Sequence, residues 1–172
     1  MTGLRVLVVE DSGTARRRMV EILAGDGAIE VVGEAEDGKG AIALARSLRP
    51  DLVTLDMMLP VMTGLAATEY IMAHCPTPIL IVSASINRGE LHRTYDALAA
   101  GAVDVLEKPN GGEAPGEWEA RFLATAKRTA RIKVITHPRA RLAATAVPAV
   151  MGVRGKTGLV AIGASTGGPA AI

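Results

Sequence analysis

The chain has 172 residues, 49% hydrophobic and 22% charged, enough to bury a sizeable core in one ordinary domain and leave chain over. A single cysteine, Cys75, excludes an internal disulfide, and no apolar run approaches the ~20 residues a membrane helix needs. The net charge of +1 hides an asymmetry: residues 1–113 carry 10 Lys/Arg against 16 Asp/Glu, and residues 114–172 carry 9 against 2, so a compact acidic domain precedes a basic segment of another kind.

Leu4–Val9 reads as a buried first strand, too short before Glu10-Asp11 to be a secretory signal, so a cytoplasmic protein is the expectation. Thr14–Ala24 has helical character, with Asp11 or Ser12 as its cap. Ile29–Ala35 follows as a second strand. After the Asp37-Gly38 turn, Lys39–Leu48 is a helix that Pro50 ends. Leu52–Leu55 is the third strand, and a helix spans Thr63–His74. Pro76 and Pro78 interrupt the chain before a fourth strand, Ile79–Val82, ending at Ser83. A helix over Gly89–Ala100 is closed by Gly101. Ala102–Leu106 is the fifth strand, stopped by Lys108-Pro109, and Glu117–Ile132 is the last helix, basic on its exposed side.

Five strands alternating with five helices predict an α/β fold, a doubly wound parallel sheet with right-handed crossovers. Five strands favour the order 2-1-3-4-5, which makes strands 1 and 3 neighbours at the switch point. Glu10, Asp11 and Asp56 then meet in one crevice at the carboxyl ends of the strands, with Ser83 and Lys108 on its far side. Three carboxylates that close repel one another unless a cation intervenes. Mg²⁺ suits such a site, because it binds one or two carboxylates, keeps several waters and can also hold a phosphate. Lys108 and Ser83 add a positive charge and a hydroxyl donor, so the set suits phosphoryl transfer onto Asp56. Each residue alone is bland; Glu10-Asp11, for instance, is more often a helix start. It is their shared position at strand ends that points to chemistry.

In its motifs, residues 1–133 resemble the receiver domain of a two-component response regulator. The matching features are Glu10-Asp11, the Asp56-x-x-x-Pro60-x-x-x-Gly64 loop, Ser83, Ala100-Gly101-Ala102 and Lys108-Pro109. The resemblance implies that Asp56 accepts phosphate from a histidine kinase. It also implies Mg²⁺ held by Asp11, Asp56 and the Met58 carbonyl, with Glu10 acting through water. Ser83 would shift toward the phosphoryl group, Lys108 would pair with it, and the Lys108-Pro109 bond would be cis. One position departs from the pattern: receivers usually carry an aromatic switch residue where this chain has Val105.

Residues 134–157 show no sustained period, are rich in small residues and are broken by Pro138 and Pro148, as in an interdomain linker. Next comes a strand-like run and Gly163-x-Ser165-x-Gly167. That form fits a nucleophile elbow and equally a glycine-rich turn that cradles a phosphate. Behind a receiver and a linker, Ile162–Gly168 resembles the nucleophile segment of the chemotaxis protein-glutamate methylesterases/glutamine deamidases. The resemblance makes residues 158–172 the start of their catalytic domain and Ser165 its nucleophile. The family's catalytic His and Asp have no counterpart here, because His74, His92 and His137 fall on expected receiver helices and in the linker. The expectation is a regulatory domain, a linker and the first strand of an effector, unable to hydrolyse esters alone. Chemoreceptors would be the partners of the longer protein. Two other readings remain: a DNA-binding response regulator, motivated by the basic run from Arg121 to Arg141, and a stand-alone receiver acting by partner binding.

Overall fold

The computed structural model describes residues 3–84, 95–109 and 111–135. Five parallel strands form one sheet in the order β2-β1-β3-β4-β5, as the alternation of elements predicts. They are β1 (Leu4–Val9), β2 (Ile29–Ala35), β3 (Leu52–Leu55), β4 (Ile79–Ser83) and β5 (Asp104–Glu107). The helices are α1 (Gly13–Ala24), α2 (Gly38–Leu48), α3 (Gly64–His74), α4 (described at residues 95–99) and α5 (Glu117–Thr129).

Alternate residues of the central strands face opposite sides of the sheet and build two apolar clusters. Leu7, Val9, Val53, Leu55, Ile79 and Ile81 pack on one side with Ala41 and Ala45 of α2 and Ala67, Ile71 and Met72 of α3. Val6, Val8, Leu52, Leu80 and Val82 pack on the other with Met19 and Leu23 of α1 and Trp118, Phe122 and Ala126 of α5. Strands covered on both faces are apolar throughout, which is why β1, β3 and β4 were readable as unbroken runs. Trp118 and Phe122 stack at 5.0 Å and place the one tryptophan and one phenylalanine of the chain on the same face.

The element ends carry the differences from expectation. Ser12, not Asp11, caps α1, its hydroxyl accepting from the Ala15 amide. α2 ends at Leu48 as expected, with Arg49, the residue before Pro50, closing it in the left-handed region (φ 49°). The fifth strand begins at Asp104 rather than Ala102. Gly101 (φ 111°) donates to the Leu98 carbonyl and Ala102 to the Ala97 carbonyl, a Schellman closure that still holds Ala102 in the helix end. The last helix stops at Thr129, and tight turns carry Arg131 and Ile132. The expected helix start at Gly89 and the expected run 158–172 with Ser165 lie outside the described residues, as does all of the expected linker beyond residue 135.

Gly64 fixes how α3 meets β3. A Cβ there would stand 2.2 Å from the Asp56 carbonyl oxygen and 2.8 Å from the Met57 Cα, both backbone atoms that cannot step aside. We expect Gly64→Ala to destabilise the domain by about 3 kcal/mol, the upper end of overpacking, despite the ~1 kcal/mol helix preference of alanine. Equilibrium urea unfolding tests this; a variant as stable as the parent would show that the close approach is not a constraint.

Candidate functional site

Parallel pairing aligns the carboxyl ends of the strands, and hydrogen bonds extend the ladder one residue further. Glu10 N–H donates to the Ala35 carbonyl at 3.0 Å, Asp56 N–H to the Val9 carbonyl at 3.0 Å, and Lys108 N–H to the Ser83 carbonyl at 2.7 Å. The three residues after β1, β3 and β5 therefore sit at one edge of the sheet, fixed by backbone register rather than by side-chain packing. That edge is the switch point of the topology.

The side chains converge there. One carboxylate oxygen from each of Glu10, Asp11 and Asp56 lies within 4.8 Å of the others. Glu10 and Asp56 are buried (0% and 5% exposed), and Asp11 is exposed. Lys108 Nζ stands 2.6 Å from Glu10 Oε2 and 2.6 Å from Asp56 Oδ2, bridging the two buried carboxylates. The Asp56 contact is an aligned hydrogen bond, and the Glu10 contact is a close ion pair of poorer alignment. Asp56 Oδ1 accepts from the Met58 amide at 3.0 Å, and Glu10 Oε1 from the Ser12 amide at 3.2 Å.

Burial pushes the Glu10 carboxyl above the usual range, and the nearby Asp56 charge adds to this against the opposing pull of Lys108. Burial alone would lower Lys108, but its bonds to Asp56 and Glu10 outweigh that and hold the ammonium above the usual lysine range. The donor set fits Mg²⁺. Three carboxylates converge on one point, a single ammonium faces them, and Asp11 opens the cluster to water.

The other expected residues fall nearby in the fold. Ser83 ends β4, 2% exposed, and pairs in register with Glu107, the neighbour of Lys108. Met58 lies in the loop after Asp56, half exposed. Val105 pairs with Ile81 and packs on the α2/α3 side of the sheet. No peptide bond among the described residues is cis, so the Lys108-Pro109 bond is trans, contrary to what the family resemblance implies. Three side chains of the basic run make ion pairs within the domain, Arg121 with Glu113, Lys127 with Asp26 and Arg128 with Asp104. Two neighbours of the site were not anticipated. Trp118 Nε1–H donates to the Glu107 carbonyl at 2.7 Å, anchoring the chain just before Lys108. Arg16 reaches the Glu10 carbonyl at 2.6 Å; the available signal was its place on the stripe of Met19 and Leu23, which are buried.

A doubly wound sheet with an acidic trio and a lysine at its switch point defines the receiver class of signalling domain. The response regulator receiver domain family matches residues 6–114, and the chain belongs to that family. Similarity to one branch of it runs over nearly the whole chain. The chain is 45% identical over 171 residues to protein-glutamate methylesterase/protein-glutamine glutaminase 3 of Anaeromyxobacter dehalogenans, covering 98% of the chain and 50% of the relative. It is 47% identical over 176 residues to the corresponding enzyme 4 of Myxococcus xanthus, covering 98% and 49%. The chain thus spans about half the length of the curated relatives it matches. Among solved structures, the response regulator domain of Thermotoga maritima CheB superposes with a TM-score of 0.69 at 32% identity, covering 76% of this chain and 98% of that one. The receiver domain of a Pseudomonas aeruginosa sensor histidine kinase, solved with magnesium in its active-site cleft, gives 0.62 at 27% identity, covering 74% and 98%. No helix among the described residues is long and apolar enough to cross a membrane.

The raised Glu10 value has a sign that can be checked. The folded state holds that proton more tightly than the unfolded state does, so the ionised carboxylate costs stability. The cost is absent below the unfolded value of about 4.3 and grows as pH rises through the window up to the raised folded value. In metal-free urea melts, the stability of Glu10→Gln relative to the parent is expected to increase between pH 4 and pH 8. Parallel pH profiles for the two proteins would refute this.

Proposed function

We propose that this chain is the phosphorylation-controlled regulatory part of a cytoplasmic chemotaxis methylesterase, with Asp56 as phospho-acceptor. The observation that carries the reading is Asp56 itself: buried at the end of the central strand β3, bonded to Lys108 and clustered with Glu10 and Asp11. Asp11, Asp56 and the Met58 carbonyl would hold Mg²⁺, with Glu10 acting through a bound water. The ion supplies charge neutralisation for the transferring phosphoryl oxygens.

The chain's own groups do the rest. An Asp56 carboxylate oxygen forms a bond to phosphorus as the P–N bond of a donor phosphohistidine breaks, and the leaving imidazole takes up a proton. The acyl phosphate carries its charge on the phosphoryl oxygens and leaves Asp56 Oδ2 a weaker partner for Lys108. Lys108 then exchanges that oxygen for a phosphoryl oxygen, the charge-assisted bond being the stronger one. Ser83 gives its hydroxyl to the phosphoryl group. With Val105 at the position of the usual aromatic, the response on the β4-β5 side rests on aliphatic packing. The donor is a chemotaxis histidine kinase.

Residues 134–157 serve as linker, and residues 158–172 begin a catalytic domain with Ser165 as nucleophile. In the longer protein the receiver controls demethylation and deamidation of chemoreceptors. Support for this half comes from the methylesterase/glutaminase relatives, matched over 98% of the chain.

Intact-mass spectrometry after incubation with Mg²⁺ and acetyl phosphate tests the phospho-acceptor chemistry. One phosphoryl increment is expected, lost in Asp56→Asn and without Mg²⁺. No increment in the parent, or one that survives Asp56→Asn, would overturn the reading.

A further inference from the structure

Arginines 16, 17 and 18 follow one another on α1, yet only Arg16 is drawn out of solvent, its side chain 20% exposed. It lies on the stripe that buries Met19 and Leu23, in the first turns of the helix, where the macrodipole disfavours a cation. A residue placed against both local rules needs a compensating partner. It has three: Nη1 donates to the Glu10 carbonyl at 2.6 Å, Nε stands 3.3 Å from Glu34 Oε2, and Nη2 stands 4.0 Å from Glu36 Oε2. The guanidinium therefore ties the end of β1 to the end of β2, opposite the tie that Lys108 makes to β5.

What it grips matters for Asp11. Glu10 and Asp56 are buried and held by their surroundings, but Asp11 is exposed, so packing does not fix its carboxylate. Its direction is set by the backbone. On one side Glu10 N–H is bonded to Ala35; on the other, Ser12 caps α1 and its carbonyl accepts from the Arg16 amide. Between them lies the Glu10–Asp11 peptide plane, and Arg16 holds its carbonyl. Releasing that carbonyl lets the plane turn and swings Asp11 away from Asp56.

We propose that Arg16 is a positioning residue for the acidic cluster: its grip on the Glu10 carbonyl keeps Asp11 where it shares a divalent cation with Asp56. The inference rests on the magnesium-dependent phospho-acceptor reading. It carries a sign that a bare charge effect would reverse. As a charge alone, Arg16 repels the ion, and a neutral replacement would tighten Mg²⁺ binding. As a positioning residue, its loss weakens binding, by roughly tenfold if it behaves as groups that orient metal ligands do.

The test is a Mg²⁺ titration of the full chain, read by the thermal unfolding midpoint and by Trp118 emission, since Trp118 lines a small cavity together with Lys108 and Pro109. The expected result for Arg16→Met is roughly tenfold weaker Mg²⁺ binding. Phosphoryl incorporation from acetyl phosphate should also recover toward the parental rate at saturating Mg²⁺. Unchanged or tighter Mg²⁺ binding in a folded Arg16→Met would overturn the proposal. If that variant does not fold, Arg16→Lys decides: weaker binding supports the proposal, and unchanged or tighter binding overturns it. A parent that neither binds Mg²⁺ nor takes up phosphate fails the underlying reading and the inference together. A parent that does both, beside an Arg16 variant with parental affinity, fails the inference alone.

Discussion

The ammonium of Lys108, 2.6 Å from Glu10 on one side and from Asp56 on the other, is the interaction on which the working edge of this domain depends. It joins the ends of three strands that are not consecutive in the chain. Two buried carboxylates face the same ammonium, and removing one partner of a buried pair typically costs about 3–5 kcal/mol. The bridge exists only if β1, β3 and β5 end level with one another. Parallel register supplies that, and each strand-end amide bonded to the neighbouring strand enforces it. The tryptophan bond to the Glu107 carbonyl and the close seat of Gly64 on Asp56 hold the two loops that flank the lysine's partners.

Most of this was readable before any coordinates. The bounds of β1 and β3 were as expected, and so was the sheet order, because strands covered on both faces leave largely apolar runs between turn residues; β2, at the sheet edge, was legible from its alternation instead. Glu10 and Asp56 were readable for the same reason, since each follows directly on such a run. The start of β5 was not, since Ala102 and Val103 are as apolar as a strand while hydrogen bonds to Ala97 and Ile79 place them in a helix closure and its exit. Arg16 was missed because three adjacent arginines look like a solvated face. Only the tertiary partners Glu10, Glu34 and Glu36 separate the first from its neighbours.

The sparse aromatic content has a structural counterpart. The α2/α3 side of the sheet is filled by Val, Ile, Leu, Ala and Met with Cys75, while Trp118 and Phe122 both belong to α5 on the other side. Val105 belongs to the aliphatic side. A smaller residue there leaves neighbouring side chains to set the packing beside β4.

The site combines features that a stability-optimised edge would avoid. Glu10 is fully buried, its carboxyl is pushed upward, and one of its oxygens lacks an aligned donor. Lys108 bridges Glu10 and Asp56 with a single positive charge and leaves Asp11 exposed. Local conflicts of this kind persist where a further ligand resolves them. On the proposed reading, a divalent ion relieves the excess negative charge, and phosphorylation of Asp56 then releases Lys108 from one of its two partners. On that reading, the same lysine that holds the resting edge together would also meet the phosphoryl group. Because it is tied through Glu107 to β5 and through its amide to Ser83 of β4, that change of partner acts first on these two strands at the open side of the sheet.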